Sequence, residues 1–355
     1  MQSSALIVGA SGIAGGNLAT LLLTKGWTVY GLARSPVADG SAMIPVAADL
    51  RDPDALRAAL ADVAPTHVFI TAWLRQDSEA ENIRVNAGMV ENVLAALSGK
   101  GSVRHVALVT GLKHYLGPFD AYASSGTLPQ TPLREDQPRL PLENFYYAQE
   151  DALFAAARRD GFAWTVHRPH TLIGKAIGNA MNMGSTLAVY ASICKETGAA
   201  FQFPGSQAQW QGLSDVTDAR QLARQLLWAA ETPAAHNTAF NIVNGDVFRW
   251  QWLWGRIADW FGVTAGAFDG AMRPLEPVLA QHAELWRSMA AKHGLVEPDM
   301  HRLASAWHTD LDLGRPLEVM TDMSRSRKLG FTAYQSTEDS FLDLFAQMRQ
   351  DRLIP

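Results

Sequence analysis

Gly9-Ala10-Ser11-Gly12-Ile13-Ala14-Gly15 decides how the rest of this chain is read. The run Leu6-Ile7-Val8 in front of it is short and apolar, the pattern of a buried strand. Behind it, Ile13 to Thr24 reads as a helix. Glycines here allow a tight turn and let backbone amides approach a phosphate group at the helix N-terminus. Three glycines alone are weak evidence. Strand, loop and helix at the first strand are the context that a dinucleotide fingerprint requires. The reading assigns Gly9, Ser11, Gly12, Ile13 and Gly15 to a cofactor.

The same alternation continues downstream. Thr28 to Ala33 and Met43 to Ala47 read as the second and third strands, His67 to Thr71 as the fourth and Val106 to Val109 as the fifth. A sixth runs from Ala163 to His167 and is stopped by Pro169. Helices are expected from Pro53 to about Ala61, with Asp52 as N-cap, from Glu81 to Leu97, and around Tyr146 to about Arg159. This alternation predicts an α/β fold, a Rossmann-type doubly wound parallel sheet covered by helices. After Gly174 the pattern loosens, then resumes with a helix near Asp218 to Ala230 and a strand at Ala239 to Val243. We expect residues 1–175 to form the cofactor-binding core. Residues 176–355 form mainly a helical, substrate-capping lobe, with further core elements near 215–245, the whole being one integrated unit.

Composition excludes several classes. A net charge of −5 without a basic stripe argues against nucleic acid or anionic membrane as partner. No run approaches the ~18 apolar residues of a membrane helix, and the N-terminus lacks the basic region of a signal peptide. The single cysteine, Cys194, cannot form an internal disulfide, which favours a reducing cytoplasm. Trp250, Trp254, Ile257 and Phe261 recur at helical spacing and read as a core stripe. His167 and His170 lack a third ligand at metal-site spacing, so no metal is expected.

Cofactor choice is read at the ends of the strands. Gly31-Leu32-Ala33-Arg34-Ser35 carries no acid until Asp39, so Arg34 and Ser35 favour the 2′-phosphate of NADP(H) over the ribose hydroxyl of NAD. Asp49-Leu50 follows the third strand and offers an adenine contact or, equally, a turn. Thr71-Ala72 and Val109 end the next two strands and should pass near the cofactor.

These segments resemble the extended short-chain dehydrogenase/reductase superfamily. An ordinary member carries a lysine one turn after its helical tyrosine. Here Asn144-Phe145-Tyr146-Tyr147-Ala148-Gln149-Glu150-Asp151 carries Glu150 instead. Together with Thr110-Gly111-Leu112-Lys113-His114-Tyr115-Leu116-Gly117-Pro118-Phe119, His167-Arg168-Pro169 and Asn241-Ile242-Val243-Asn244-Gly245, it is similar to the progesterone 5β-reductase/iridoid synthase-like enone reductases. The likeness implies Tyr146 as the catalytic tyrosine and Lys113 as its relocated cation. A cation nearby favours charge on a tyrosine oxygen. It also places Pro169, Leu172, Asn179, Ala180 and Met181 near the nicotinamide. Phe119, Met183, Trp210 and Trp307 are candidates for an apolar substrate pocket, or for ordinary core. His170-Thr171 and Lys175-Ala176-Ile177-Gly178-Asn179-Ala180 depart from the plant pattern, so the likeness implies the hydride chemistry and leaves steroid or iridoid specificity open.

The implied activity is NADPH-dependent 1,4-reduction of a small apolar enone, with a homodimer left open. Two rivals stand beside it. One is a 1,2-carbonyl reductase or sugar-nucleotide epimerase, and the other is a non-catalytic NADP(H) sensor. Tyr147 should point a quarter-turn from Tyr146 and pack, while Glu150 should turn to solvent or to an arginine.

Overall fold

A computed structural model of the protein describes residues 3–35, 42–118, 129–179 and 181–355. Its strands, among the described residues, are β1 (Ser4–Val8), β2 (Thr28–Ala33), β3 (Ile44–Ala47), β4 (His67–Ile70), β5 (His105–Val109), β6 (Ala163–Pro169), β7 (Leu172–Ile173), β8 (Thr217–Asp218) and β9 (Thr238–Ile242). Seven of them form one parallel sheet in the order β3-β2-β1-β4-β5-β6-β9. The chain winds outward from β1 to β3, then returns to add β4 on the other side. That reversal leaves a crevice at the C-terminal ends of β1 and β4, where such sheets bind ligands. The protein is therefore a Rossmann-type α/β fold, with boundaries within a few residues of the expected ones. β6 runs on through Pro169, which pairs in register with Ile242 at the very end of the strand. A proline there ends the ladder without interrupting it.

The chain divides into two compact units. The first comprises residues 1–170, 219–242 and 322–333. Here Leu6, Val8, Val68, Ile70, Val106, Leu108 and Val166 share one core with Val90, Val93, Leu94, Leu153 and Ala156 of the helices Glu79–Leu97 and Phe145–Asp160. Alternate strand residues face the other side. There Thr165 and His167 meet Gln225 of helix Ala219–Glu231, in a chain of hydrogen bonds. Helix starts are capped as their sequences demand: Asp52 accepts from the Asp54 and Ala55 amides, and Ser78 from that of Glu81.

The second unit comprises residues 171–218, 243–321 and 334–355. It is mostly helical and has its own core, in which Trp250, Trp254, Ile257 and Phe261 are all buried, as their spacing predicts. Trp254 stacks on Phe201 at 4.0 Å and donates its indole hydrogen to the Phe201 carbonyl. Cys194 is packed in this core.

Candidate active site

Tyr146 is held from three places: the cap of its own helix, the start of helix Glu79–Leu97, and the end of β5. Asn144 adopts extended backbone and its side-chain oxygen accepts from the Tyr146 amide at 2.9 Å, which starts the helix. Glu79 receives the Phe145 amide at 2.7 Å, placing a carboxylate at the positive end of the helix dipole. The Tyr146 hydroxyl then lies against Gly111 at the end of β5, where an added Cβ would come within 3.2 Å of it. Glycine at 111 is a matter of clearance.

Lys113 opens a single helical turn, Lys113–Leu116, just beyond β5. It is 6% exposed, and its ammonium stands 5.4 Å from the Tyr146 ring centre, 5.8 Å from Trp73 and 5.9 Å from Phe145. Trp73 stacks on Phe145 and follows Thr71-Ala72, the residues expected near the cofactor. The structure thus brings the two expected catalytic residues together inside a three-ring wall. Trp73 escaped the sequence reading because nothing local links it to Lys113.

Glu150 turns inward and is 2% exposed. Its oxygens accept from Arg168 at 3.1 Å and Arg139 at 2.9 Å, so the arginine alternative holds. Tyr147 does more than pack. Its hydroxyl donates to the His114 carbonyl at 2.6 Å and accepts the Leu140 amide at 2.9 Å. Burial pushes the Tyr147 phenol up and holds His114, which Arg168 also faces, down at about 3. Tyr115 donates to Asn241 at 2.7 Å and accepts from Arg168 at 3.3 Å.

The glycine loop has the shape of an anion cradle. Gly9 lies in the left-handed region at φ 89°, beside Ala72. A Cβ on Gly15 would fall within 2.9 Å of the Ala10 Cα and closer still to the Gly9 carbonyl oxygen. Helix Ile13–Thr24 starts at Gly12 with no side-chain cap and no acid in its first turn, which leaves its amides to a ligand. Arg34 and Ser35 are exposed just past β2, and β2 and β3 run in register there, with Ala33 opposite Ala47. Asp49 is gripped by Arg51 through Nε (3.0 Å) and Nη2 (2.6 Å), and by its amide. The Arg51 bonds, aided by Arg34, hold the Asp49 carboxyl down at about 2. Arg51 also escaped the sequence reading. Thr71 Oγ1 donates back to the Val8 carbonyl, tying β4 to β1 at the crevice.

Val109 and Pro169 end β5 and β6 in the first unit. Leu172, Asn179, Met181, Met183, Trp210 and Trp307 belong to the second. Within that unit, Asn179 and Trp307 line one cavity of about 540 Å³, with Leu279 and Met300 on its apolar side. Asn179 also accepts the Met181 amide, a local turn. Met183 and Trp210 pack in or against the core, Trp210 near Phe203 and Phe268. Phe119, Ala180 and Asp39 lie outside the described residues. Among the described residues no cluster of three His, Cys, Asp or Glu side chains could hold a metal, and no helix is long and apolar enough to cross a membrane.

Known proteins share this architecture. An (S)-8-oxocitronellyl enol synthase of Nepeta cataria is 37% identical over 368 residues, 100% of this chain and 94% of that protein. A 3-oxo-Delta(4,5)-steroid 5-beta-reductase of Arabidopsis thaliana is 37% identical over 367 residues, with the same coverage. Among solved structures, the Bordetella bronchiseptica enzyme WbmG in complex with NAD and UDP superposes with a TM-score of 0.67 at 17% identity, covering 100% of this chain and 97% of that one. That likeness speaks for the fold alone. Residues 47–355 match the family described as the PRISE-like Rossmann-fold domain, and the chain belongs to it.

Proposed function

We propose that this protein is an NADPH-dependent oxidoreductase that reduces the C=C bond of α,β-unsaturated carbonyl compounds. The observation that carries the reading is the buried approach of Lys113 to Tyr146, 5.4 Å from ammonium to ring, on a helix whose usual lysine position is Glu150. The names of the two relatives, an enol synthase and a steroid reductase, favour the same chemistry.

A dinucleotide suits the residues present. The Gly9–Gly15 cradle fits a pyrophosphate, and the first turn behind it carries no opposing acid. Arg34 would donate charge-assisted hydrogen bonds to a 2′-phosphate. When bound, the nicotinamide supplies a hydride to the β-carbon of the enone. Tyr146 donates a hydrogen bond to the carbonyl oxygen as negative charge develops there, an effect of about 2.7–4 kcal/mol per donor. Lys113 offsets charge on the Tyr146 oxygen, and the rings of Trp73 and Phe145 hold its ammonium in place. The lone buried cysteine fits a cytoplasmic protein, and a small apolar enone is the expected partner.

Incubation with NADPH and 2-cyclohexen-1-one, followed by product identification, tests the reading. Cyclohexanone is the expected product. The allylic alcohol would move the assignment to 1,2-reduction, and tight NADPH binding without turnover of any enone would favour a sensor. Tyr146→Phe and Lys113→Met should each lower kcat about 100-fold or more. Arg34→Ala should weaken NADPH binding far more than NADH binding.

A further inference from the structure

We infer that Asn144, Tyr147 and the buried Arg168–Glu150 pair form a clamp that sets the position of Lys113, which makes them positioning residues for the reaction. The inference rests on the proposed role of Lys113.

Three consecutive residues of the Lys113–Leu116 turn are held from outside it. Asn144 Nδ2 donates to the Lys113 carbonyl at 2.8 Å. The Tyr147 hydroxyl donates to the His114 carbonyl at 2.6 Å. Arg168 Nη1 donates to the Tyr115 hydroxyl at 3.3 Å. A single turn has too few bonds of its own to be rigid. These outside bonds therefore set where the lysine side chain begins. Asn144 and Tyr147 bracket Tyr146 on its own helix, so the element that carries the tyrosine also grips the lysine backbone.

Glu150 completes the arrangement. It faces Arg168 from β6, Arg139 from the segment before the helix, and His114 Nδ1 at 4.0 Å. Asp151 shares Arg139 at 2.9 Å. A buried carboxylate between two guanidiniums is stable only while both stay in place. It thereby orients Arg168 toward Tyr115. The helix position that usually supplies a cation here supplies the anchor for one delivered from another strand.

Steady-state kinetics of the full-length protein with NADPH and 2-cyclohexen-1-one, run across pH, tests the clamp. Tyr147→Phe removes the hydroxyl alone. Asn144→Asp keeps the acceptor for the Tyr146 amide and removes the donor to Lys113. Glu150→Gln keeps size and removes the charge that orients Arg168. We expect kcat to fall about 10–100-fold in the first two variants, with KM within about twofold. In all three the alkaline limb of the kcat profile should move to higher pH, because the cation no longer sits beside the tyrosine. A lower melting temperature with wild-type kcat and an unmoved limb would overturn the clamp. Should Tyr147→Phe fail to fold, Asn144→Asp carries the same readout. Lys113→Met separates the two levels. Wild-type activity in that variant overturns the role of Lys113 itself, whereas its loss alongside unchanged clamp variants overturns the clamp alone.

Discussion

The glycine cradle and the Lys113 corner stand at the same edge of one sheet and are built by opposite means. In the cradle, backbone and the absence of side chains make the shape: Gly15 has no room for a methyl group, and the helix behind it starts without a cap. In the corner, side chains make the shape. Asn144, Tyr147, Arg168 and Glu150 tie one turn to one helix through buried polar bonds. The two regions should therefore fail differently. The cradle should be the more sensitive to added volume, and the buried ion pair of the corner to lost charge.

The largest effect is expected in the corner. Arg168→Met keeps most of the volume but leaves Glu150 with one partner, and should cost about 3–5 kcal/mol in denaturant unfolding. A loss below about 1 kcal/mol would mean that the pair carries no structural weight. Next comes Gly15→Ala in the cradle, expected to cost about 1–3 kcal/mol and to weaken NADPH binding, read by fluorescence titration. Unchanged affinity would show that the loop can move aside.

Acid should act next, through histidines of the sheet: His67 and His105 at the starts of β4 and β5, and His167 within β6. Burial lowers His67 and His167 to about 4 and His105 to about 2, against 6.5 in the unfolded chain. As pH falls through 6.5, the unfolded chain takes up protons that the folded one refuses. Stability should be full above pH 6.5 and decline steadily toward pH 4. His167 is bonded through Gln225 and Asn241 to Tyr115, so the corner should feel this decline. Melting temperatures across that range check the sign, and His105→Gln should flatten the slope. The smallest effect is reserved for the ion pair just past β3. Asp49→Asn breaks a half-exposed pair with Arg51 and should change stability by less than about 1 kcal/mol.

The same contrast explains what could be read from the sequence. The cradle is local: seven residues between a strand and a helix carry its whole logic, and the parallel sheet follows from the alternation around it. The core stripe from Trp250 to Phe261 is legible for the same reason, since helical spacing alone makes it. Lys113 and Tyr146 were found only through a resemblance, because no spacing rule joins residues from two elements. Tyr147 packs as expected, and its hydroxyl also bridges Leu140 and His114. That outcome depends on which carbonyl the tertiary fold delivers. Arg139 and Arg168 flank Glu150 from either side of its helix in sequence, so a search one turn away could not name them. Arg51 was missed although it is two residues from Asp49, because a turn that folds a side chain back leaves no periodic signature.

Placing the tyrosine and its cation on separate elements has a further consequence. When both ride on one helix, their separation is dictated by the pitch of that helix and cannot be altered without breaking it. Here the separation is a property of how a strand end meets a helix start. It can therefore be adjusted in small increments by exchanging neighbours of the pair while the pair itself is kept. Trp73 and Phe145, stacked 5.8 Å apart beside the ammonium, are spacers in this sense. A relative with smaller rings at those positions would hold the same two groups at a different distance, and could be tuned to a different substrate without changing either one.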